Sequence, residues 1–269
     1  MNVEKIMKII VCIKQVLDTG AAIQIQDEKI ISPGSPLIMN PYDEFAVEEA
    51  VRIKAALPDS EITVFSLGPD SVKETLKRSL AMGADHAIHV SDPLFEGLDN
   101  SLVAKVLAKA IQKQPFDLVL CGRQAVDDDL AQVGPALAVL LEIPFATIVT
   151  KLEFAENFQS ADITRQIEGG NEIRKNMSLP FLVTCQKGLN EPRLPSLKGI
   201  MAAKKKEIQN LSASDLDLDA QFLDLQNKRL EEINLSLPPE RKKGIILEGV
   251  DEDMAKQLAT IIREEEKII

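Results

Sequence analysis

The chain has 269 residues, of which 45% are hydrophobic and 27% are charged; this composition is typical of a folded globular protein and excludes wholesale disorder. The formal net charge of −11 argues against a nucleic-acid partner, because proteins that bind nucleic acids usually have a positive net charge or a positively charged face. No apolar run approaches the roughly 18 residues that a bilayer requires, so no membrane insertion is expected. Three widely spaced cysteines argue against a disulfide scaffold and predict a reducing, cytoplasmic location.

Up to about residue 150, short apolar runs alternate with segments of helical period. The runs cover residues 9–13, 62–67, 87–90, 118–121 and 146–149. The first run has charges around it and no cleavage site of small residues, so we interpret it as a strand and not as a signal peptide. Unbroken apolar runs indicate strands that are buried on both faces, as in a parallel sheet. The alternation predicts an α/β fold with a doubly wound, mostly parallel sheet.

Two helix starts carry capping signals. Asn40 is a good N-cap residue, Pro41 suits the first helical position, and Asp43 stands where it can reach back to the cap. A helix start presents free N–H groups and could seat a phosphate, although a well-capped helix without a ligand explains the same pattern. A later helix is expected to be capped by Asn100 or Ser101.

Beyond residue 150 the pattern changes to short, two-faced strands. The predicted strands are residues 151–158, 163–167, 172–173 and 181–185. Gly169 and Gly170 predict a hairpin turn between the second and the third of them. From about residue 207 the chain holds too little apolar material for a core of its own. We therefore predict a domain over residues 1–206 and an arm over residues 207–269, which ends in a helix capped by Asp251 and packs on the domain or on a partner.

Ligands of a doubly wound sheet bind beyond the carboxyl ends of its strands, so the residues after each strand are informative. Gly122 and Arg123 follow the fourth strand, and three aspartates follow them at 127–129. The glycine permits a ligand to approach the backbone, and Arg123 can offer a forked donor to a phosphate or a flavin oxygen. The aspartates could accept from ribose hydroxyls or merely cap the next helix. Three consecutive side chains do not converge on one face, so no metal site is expected there.

No catalytic residue is predicted. The chain has no GxxxxGK[ST] motif, and no GxGxxG follows the first strand, so nucleotide hydrolysis has no obvious machinery. His86 and His89 have no acid–base companion within sequence reach, and we expect them to be structural or solvent-facing. Cys12, Cys121 and Cys185 lie in apolar strands and are interpreted as buried thiols, without a CxxC pair that could bind a metal.

A segment near residue 200 joins an apolar group to a run of lysines. Its two prolines, Pro192 and Pro195, predict an extended loop. The apolar group is Leu194, Leu197, Ile200 and Met201, and lysines follow it at 204–206. In an acidic protein, an apolar loop bordered by positive charge suggests a docking site. The loop could also fold over its own core and leave the lysines in solvent.

Several of these segments occur together in one family. They are VCIKQV at 11–16, NPYDEFAVEEA at 40–50, LAMGAD at 80–85, GRQAVD at 122–127, the stretch 163–184, and NEPR through the lysines at 190–206. In this order they closely resemble the β subunits of electron transfer flavoproteins, and the joint match is specific although each motif alone is weak. The resemblance implies a Rossmann-like fold that binds adenine nucleotides and carries a β-hairpin insertion and an extended C-terminal arm.

The resemblance implies an electron carrier and no enzyme: a heterodimer in which an α subunit holds the redox FAD and the β subunit keeps an AMP as a structural element. Such a carrier accepts electrons from dehydrogenases, for example the acyl-CoA dehydrogenases of fatty acid β-oxidation, and passes them to a membrane quinone reductase or another acceptor. By position, the nucleotide site would comprise Cys12, Asn40, Pro41, Tyr42, Asp43, Leu67, Gly122, Arg123, Gln124, Ala125, Val126, Asp127, Asp128, Asp129, Leu130, Ala131, Gln132 and Val133. The recognition loop for dehydrogenases would contain Pro195, Leu197, Ile200 and Met201. The C-terminal arm would embrace the α subunit.

One branch of the family bifurcates electrons, binds a second FAD in place of AMP and accepts NADH. Its loop reads DGDTAQVGP; residues 131–135 agree with it, but Asp128 and Leu130 replace the glycine and the threonine. The branch also tends to show GADT where this chain has GLDN at 97–100. Leucine lacks the hydroxyl donor of threonine, so AMP is favoured and a second FAD is the alternative. Outside the family, the rival is a nucleotide-binding module of the universal-stress type, which would need neither the docking loop nor the arm.

Overall fold

The computed structural model describes residues 6–27, 29–219, 221–223, 228–230, 233–239, 244–265 and 267. In chain order the strands are β1 (Lys8–Cys12), β2 (Gln15–Leu17), β3 (Gln24–Gln26), β4 (Lys29–Ile31), β5 (Leu37–Met39), β6 (Glu61–Leu67), β7 (His86–Val90), β8 (Leu118–Gly122), β9 (Phe145–Phe154), β10 (Ser160–Ile167), β11 (Gly170–Ser178), β12 (Phe181–Cys185) and β13 (Ile208–Leu211). The α-helices are α1 (Pro41–Ala56), α2 (Val72–Met82), α3 (Asn100–Ile111), α4 (Val133–Leu140), α5 (Leu197–Ala203) and α6 (Asp251–Thr260).

Nine of the strands form one sheet in the order β11-β10-β9-β12-β8-β1-β6-β7-β13. The neighbours from β9 to β13 pair in parallel, whereas β10 pairs antiparallel with both β9 and β11. The remaining strands form two small antiparallel ladders, β2 with β5 and β3 with β4. The predicted α/β class with a doubly wound, mostly parallel sheet is therefore confirmed.

Helices cover both faces of the sheet, which explains why its central strands are apolar along their whole length. One core contains the apolar sides of α1 and α2, represented by Val47 and Leu76. The other core contains those of α3 and α4, represented by Leu107 and Leu137. Successive residues of β1 alternate between the two cores, with Ile9 in the first and Ile10 in the second.

The order of the strands reverses at β1. After β1 the chain builds β6 and β7 on one side, and it then crosses to build β8 on the other side. The carboxyl ends of β1 and β8 diverge at this reversal and leave a crevice, which is where open α/β sheets bind their ligands. The fold thus places the ends of β1 and β8, at Cys12 and Gly122, at the mouth of the crevice.

Several element boundaries differ from those expected. Residues 151–154 continue the predicted strand at 146–149 as one long strand, β9, and residues 155–159 form the turn that follows. The expected hairpin is confirmed between β10 and β11, but its turn consists of Glu168 and Gly169, because Gly170 pairs with Ile167 as the first residue of β11. The cap of α3 is Asp99, whose carboxylate accepts a hydrogen bond from the Leu102 N–H at 2.9 Å, so the assignment to Asn100 or Ser101 was wrong. Helix α6 begins at Asp251, after Val250 at the cap position.

The chain beyond residue 206 begins with a strand of the main sheet and, in its described part, ends with a helix that has no buried residue. Strand β13 is the edge strand beside β7, and Leu211 and Leu216 lie in the second core. Helix α6, by contrast, has no buried residue among those that the structure describes. Residues 220, 224–227, 231–232, 240–243, 266 and 268–269 of the predicted arm lie outside the described residues. The division at residue 206 stays a prediction.

Candidate functional site

A cavity of about 250 Å³ opens at the carboxyl ends of β1 and β8, at the reversal of strand order. Twelve of the eighteen predicted nucleotide residues line it: Cys12, Asn40, Asp43, Leu67, Gly122, Arg123, Gln124, Ala125, Asp128, Ala131, Gln132 and Val133. The lining does not include the other six, which are Pro41, Tyr42, Val126, Asp127, Asp129 and Leu130. The structure therefore brings most of the predicted set together around one space.

Asp43 joins the three elements that meet below the cavity. It projects from the first turn of α1, and its carboxylate accepts a hydrogen bond from the Lys14 N–H at 2.7 Å and another from the Gly122 N–H at 3.1 Å. Those two N–H groups stand just after β1 and at the end of β8. Burial raises the pKa of Asp43 to about 7, although both hydrogen bonds act to lower it.

Asn40 holds the loop that walls the cavity. Its side-chain amide donates to the Gln124 carbonyl at 2.9 Å, and its side-chain oxygen accepts from the Val126 N–H at 3.2 Å. Asn40 stands at the N-cap of α1 as predicted, but its side chain makes no capping hydrogen bond. The position of the cap is thus as predicted, but the expected capping bonds are wrong. The Asn40 side chain binds the loop after β8. The Asp43 carboxylate accepts from the N–H groups of Lys14 and Gly122.

Gly122 is required for this arrangement. A methyl group at this position would overlap the carboxylate of Asp43 and press on the backbone of Tyr42. The end of β8 can therefore approach the start of α1 closely only without a side chain at residue 122.

The loop from Arg123 to Gln132 closes one side of the cavity. Asp128 accepts hydrogen bonds from the ammonium group of Lys14 and the side-chain amide of Asn100, both at 3.3 Å. Lys14 also pairs with Asp127 at 2.8 Å. Among the described residues, the Arg123 guanidinium has no hydrogen-bond or ion-pair partner, so it remains available to a ligand.

Helix α4 begins where this loop ends, and its first turn lies at the rim of the cavity. Val133 and Gly134 both line the space. The first N–H groups of a helix have no partner within the helix, and they favour an anion. A methyl group at Gly134 would collide with the side chain of Thr184 in β12, so the glycine allows the start of α4 to pack closely against the sheet.

A second wall of the cavity was not predicted. It comes from the segment after β7 and from α3, and the additional residues are Phe95, Gly97, Leu98, Asn100, Val103 and Leu107. The rule that ligands bind at the carboxyl ends of strands applies to β7 as well, so the residues after it carried a usable signal.

The three cysteines and His89 are buried, and His86 lies on the surface. The three cysteines are free and buried, and Cys12 and Cys121 face the floor of the cavity. Contact with Cys12, together with burial, raises the pKa of the Cys121 thiol well above its usual range. His89 is buried and its Nε2 lies 2.8 Å from the Gly68 carbonyl oxygen, whereas His86 is exposed. Among the described residues, no group of three or more His, Cys, Asp or Glu could hold a metal ion.

The predicted docking residues lie on a short helix. The segment expected to be an extended loop forms α5, whose start is capped by the Ser196 hydroxyl, which accepts from the Gly199 N–H at 3.0 Å. Leu197 is 77% exposed, and Ile200 and Met201 are also exposed. Pro195 is half-buried just before the helix. Leu194, which the resemblance did not assign to the recognition loop, is 82% exposed and extends the apolar surface.

Comparisons with known proteins agree with this geometry. The profile of the "Electron transfer flavoprotein domain" matches residues 29–216. The chain is 42% identical over 265 residues to the electron transfer flavoprotein subunit beta of Bacillus subtilis (strain 168), covering 98% of this chain and all of the relative. It is 38% identical over 254 residues to the protein of the same name from Bos taurus, covering 93% and 96% of the two chains.

A further relative, the electron transfer flavoprotein subunit beta of Megasphaera elsdenii, is 38% identical over 256 residues, covering 92% of this chain and 93% of that protein. No helix in the described part of the chain is both long enough and apolar enough to cross a membrane. The match over nearly the full length, together with the sheet and its cavity, shows that the chain belongs to the electron transfer flavoprotein family, as one of the β-subunit sequences of this group of flavin-associated electron carriers.

Proposed function

We propose that this chain is the β subunit of a cytoplasmic, heterodimeric electron transfer flavoprotein. In this role it holds an AMP structurally and presents a docking surface to donor dehydrogenases. The observation that carries the proposal is the cavity at the reversal of strand order. Its lining combines a helix start, apolar side chains and Arg123, whose guanidinium has no partner among the described residues. The α subunit would hold the FAD, which would supply the redox chemistry. The acceptor of the heterodimer would be a quinone reductase or another protein.

The chemistry of the cavity fits an adenylate. Leu67, Phe95 and Leu98 offer apolar surface for a flat purine ring. The N–H groups at the start of α4 and the guanidinium of Arg123 suit a phosphate. The carboxylate of Asp128 can accept a hydrogen bond from a ribose hydroxyl. This chain's residues would thus bind and orient the nucleotide, and they supply no group for a reaction on it.

Two residues of the loop support AMP over a second FAD. Asp128 stands where the bifurcating branch has a glycine, and Leu130 stands where it has a threonine. Leucine lacks the hydroxyl donor of threonine. The cavity is open to solvent, so its volume of about 250 Å³ does not decide between the two ligands.

The nucleotides released when the purified heterodimer is denatured test this proposal. We expect one FAD and one AMP for each heterodimer, separated and quantified by chromatography. Two FAD for each heterodimer would instead establish the electron-bifurcating alternative. A chain that copurifies with no adenine-containing compound and assembles with no α subunit would contradict the proposal and favour a different nucleotide-binding module.

Replacing the exposed anchor tests the docking role. Leu197→Ala truncates the most exposed apolar side chain of α5, and an anchor at the centre of an interface can contribute more than about 1 kcal/mol to binding. We expect the KM of a purified acyl-CoA dehydrogenase for the heterodimer to rise by about tenfold. The control is Val139→Ala, because Val139 is 67% exposed but lies on α4. Unchanged kinetics for Leu197→Ala, with assembly intact, would remove the docking assignment.

A further inference from the structure

Helix α1 carries two neighbouring glutamates that are almost completely buried. Glu48 is 4% exposed and Glu49 is 5% exposed, although the first core already receives Ala46, Val47 and Ala50 from the same helix. Carboxylates are rarely buried to this degree unless they are paired, because removing a charge from water is costly. Their partners therefore indicate what this part of α1 does.

The partner of Glu48 is Arg193, which lies 145 positions later in the chain. Nε and Nη2 of Arg193 donate to the two carboxylate oxygens of Glu48 at 2.7 Å and 2.9 Å. The backbone N–H of Arg193 donates to the same carboxylate at 3.2 Å. A forked pair of this kind sets the angle as well as the distance between its two partners. It therefore fixes the direction in which the chain leaves residue 193.

Asn190 makes a second attachment to α1. Its side-chain amide donates to the Phe45 carbonyl at 3.0 Å and to the Glu49 carboxylate at 2.8 Å. Leu189, one position earlier, is buried in the first core. Residues 189–193, which we name the stalk, are thus bound along α1 at both ends.

The stalk leads directly into the docking helix. Three residues separate Arg193 from Leu197, the first residue of α5. Helix α5 has only seven residues, and isolated helices shorter than roughly 12–15 residues are marginal in water, so its orientation depends on what it is attached to. Helix α5 is also held at two other places. Gly199 lies so close to the Ala81 carbonyl oxygen of α2 that a methyl group would collide with it. Ala203, at the end of α5, is buried in the first core.

We propose that the Glu48–Arg193 pair is a positioning device, which sets the direction in which α5 presents Leu197 to a donor dehydrogenase. The proposal rests on the docking role proposed above and adds residues that touch neither the donor nor a cofactor. Loss of the pair lowers the fraction of molecules in which α5 is correctly oriented. The apparent affinity for the donor falls by the same factor, because only that fraction is competent to bind.

The test compares variants of the intact heterodimer as substrates of a purified acyl-CoA dehydrogenase. We expect Arg193→Gln to raise the KM for the heterodimer about tenfold and to change kcat by less than about twofold, because electron transfer within a correctly docked complex is unaltered. Arg193→Lys keeps the charge but loses the fork, so we expect a smaller rise of about threefold. The control is Arg78→Gln, since Arg78 pairs with Glu44 on α1 at 2.9 Å without contacting the stalk.

Leu197→Ala, measured in the same assay, separates the two proposals. A raised KM for Leu197→Ala with an unchanged KM for Arg193→Gln would overturn the positioning role alone. An unchanged KM for Leu197→Ala would overturn the docking assignment and the positioning role with it. A lower unfolding temperature of Arg193→Gln without any change in KM would show that the pair only stabilises the fold. A graded rise, with Arg193→Lys between the wild type and Arg193→Gln, supports the proposal.

Discussion

Single side chains decide whether the cavity keeps its shape. Gly122→Ala should force β8 and the start of α1 apart, because the new methyl group would overlap the Asp43 carboxylate. We expect a loss of about 1–3 kcal/mol in the free energy of unfolding, and a lower ratio of AMP to protein after purification. Gly170→Ala is the matched control, since a methyl group there meets no atom of the described residues within 4 Å. Equal losses for the two variants would contradict the close approach at Gly122.

The raised pKa of Asp43 predicts a pH dependence of stability. Burial raises this pKa from 3.8 to about 7, so between these values the folded protein holds a proton that the unfolded chain releases. The resulting stabilisation is complete below about pH 3.8 and is lost as the pH rises through about 7. From pH 5 to pH 8, the contribution of Asp43 to the free energy of unfolding should fall by roughly 2–3 kcal/mol.

Asp43→Asn isolates this contribution from the other titrating groups. The amide cannot ionise, so urea unfolding of the variant should lose the part of the pH dependence that Asp43 causes. The amide also faces two N–H donors with one oxygen, which should cost about 1–3 kcal/mol in the low pH range. Parallel pH profiles for the wild type and the variant would show that Asp43 does not titrate in this range.

The sequence located these residues but not their partners. Asn40 and Asp43 match the local pattern of a capped helix, and a local rule then assigns their hydrogen bonds to their own helix. In the structure the donors and acceptors come from Gly122, Gln124 and Val126, about eighty positions away. A pairing at that distance depends on the order of the strands in the sheet, which the pattern of one segment does not contain.

Among the elements, the buried strands were predicted most closely, whereas two partly exposed elements, β13 and α5, were missed. Strands β1, β6, β7, β8 and β12 are mostly apolar and almost completely buried, and their predicted ends lie within one residue of the observed ends. Strand β13 has a single buried residue, Leu211, and no alternation, so no periodic signal marks it. Helix α5 is short and follows two prolines, which is why it was expected to be a loop. Both elements form because of their contacts with the rest of the fold, and their local secondary-structure propensity does not predict them.

The contact between α5 and α2 gives a prediction about a whole element. Gly199→Ala would raise the helix propensity of α5, but its methyl group would collide with the Ala81 carbonyl oxygen and push α5 away from α2. We expect faster amide hydrogen exchange over residues 197–203 and a loss of about 1–3 kcal/mol in stability. Lys198→Ala is the neighbouring control, because Lys198 is exposed. Slower exchange in Gly199→Ala would mean that propensity outweighs the collision.

Exposed apolar residues of the described chain are concentrated near its C-terminal end. The sheet and its helices bury two continuous cores, yet Ile245, Ile246 and Val250 are exposed and α6 buries no residue. Apolar residues concentrated in one exposed segment usually mark a surface that a partner covers. The predicted role of the arm, to embrace the α subunit, would account for this surface.

Deleting residues 244–269 tests this role against the alternative that the segment stabilises the domain. No residue of α6 belongs to either core, so the unfolding temperature of the free β chain should change by no more than about 2 °C. Affinity for the α subunit should fall by at least about tenfold, because the exposed apolar residues would no longer be available to the interface. The double variant Ile245→Ser, Ile246→Ser keeps the chain length and should weaken assembly in the same direction. A truncated chain that unfolds at a much lower temperature but still assembles normally would contradict this role. The segment would then stabilise the domain of its own chain.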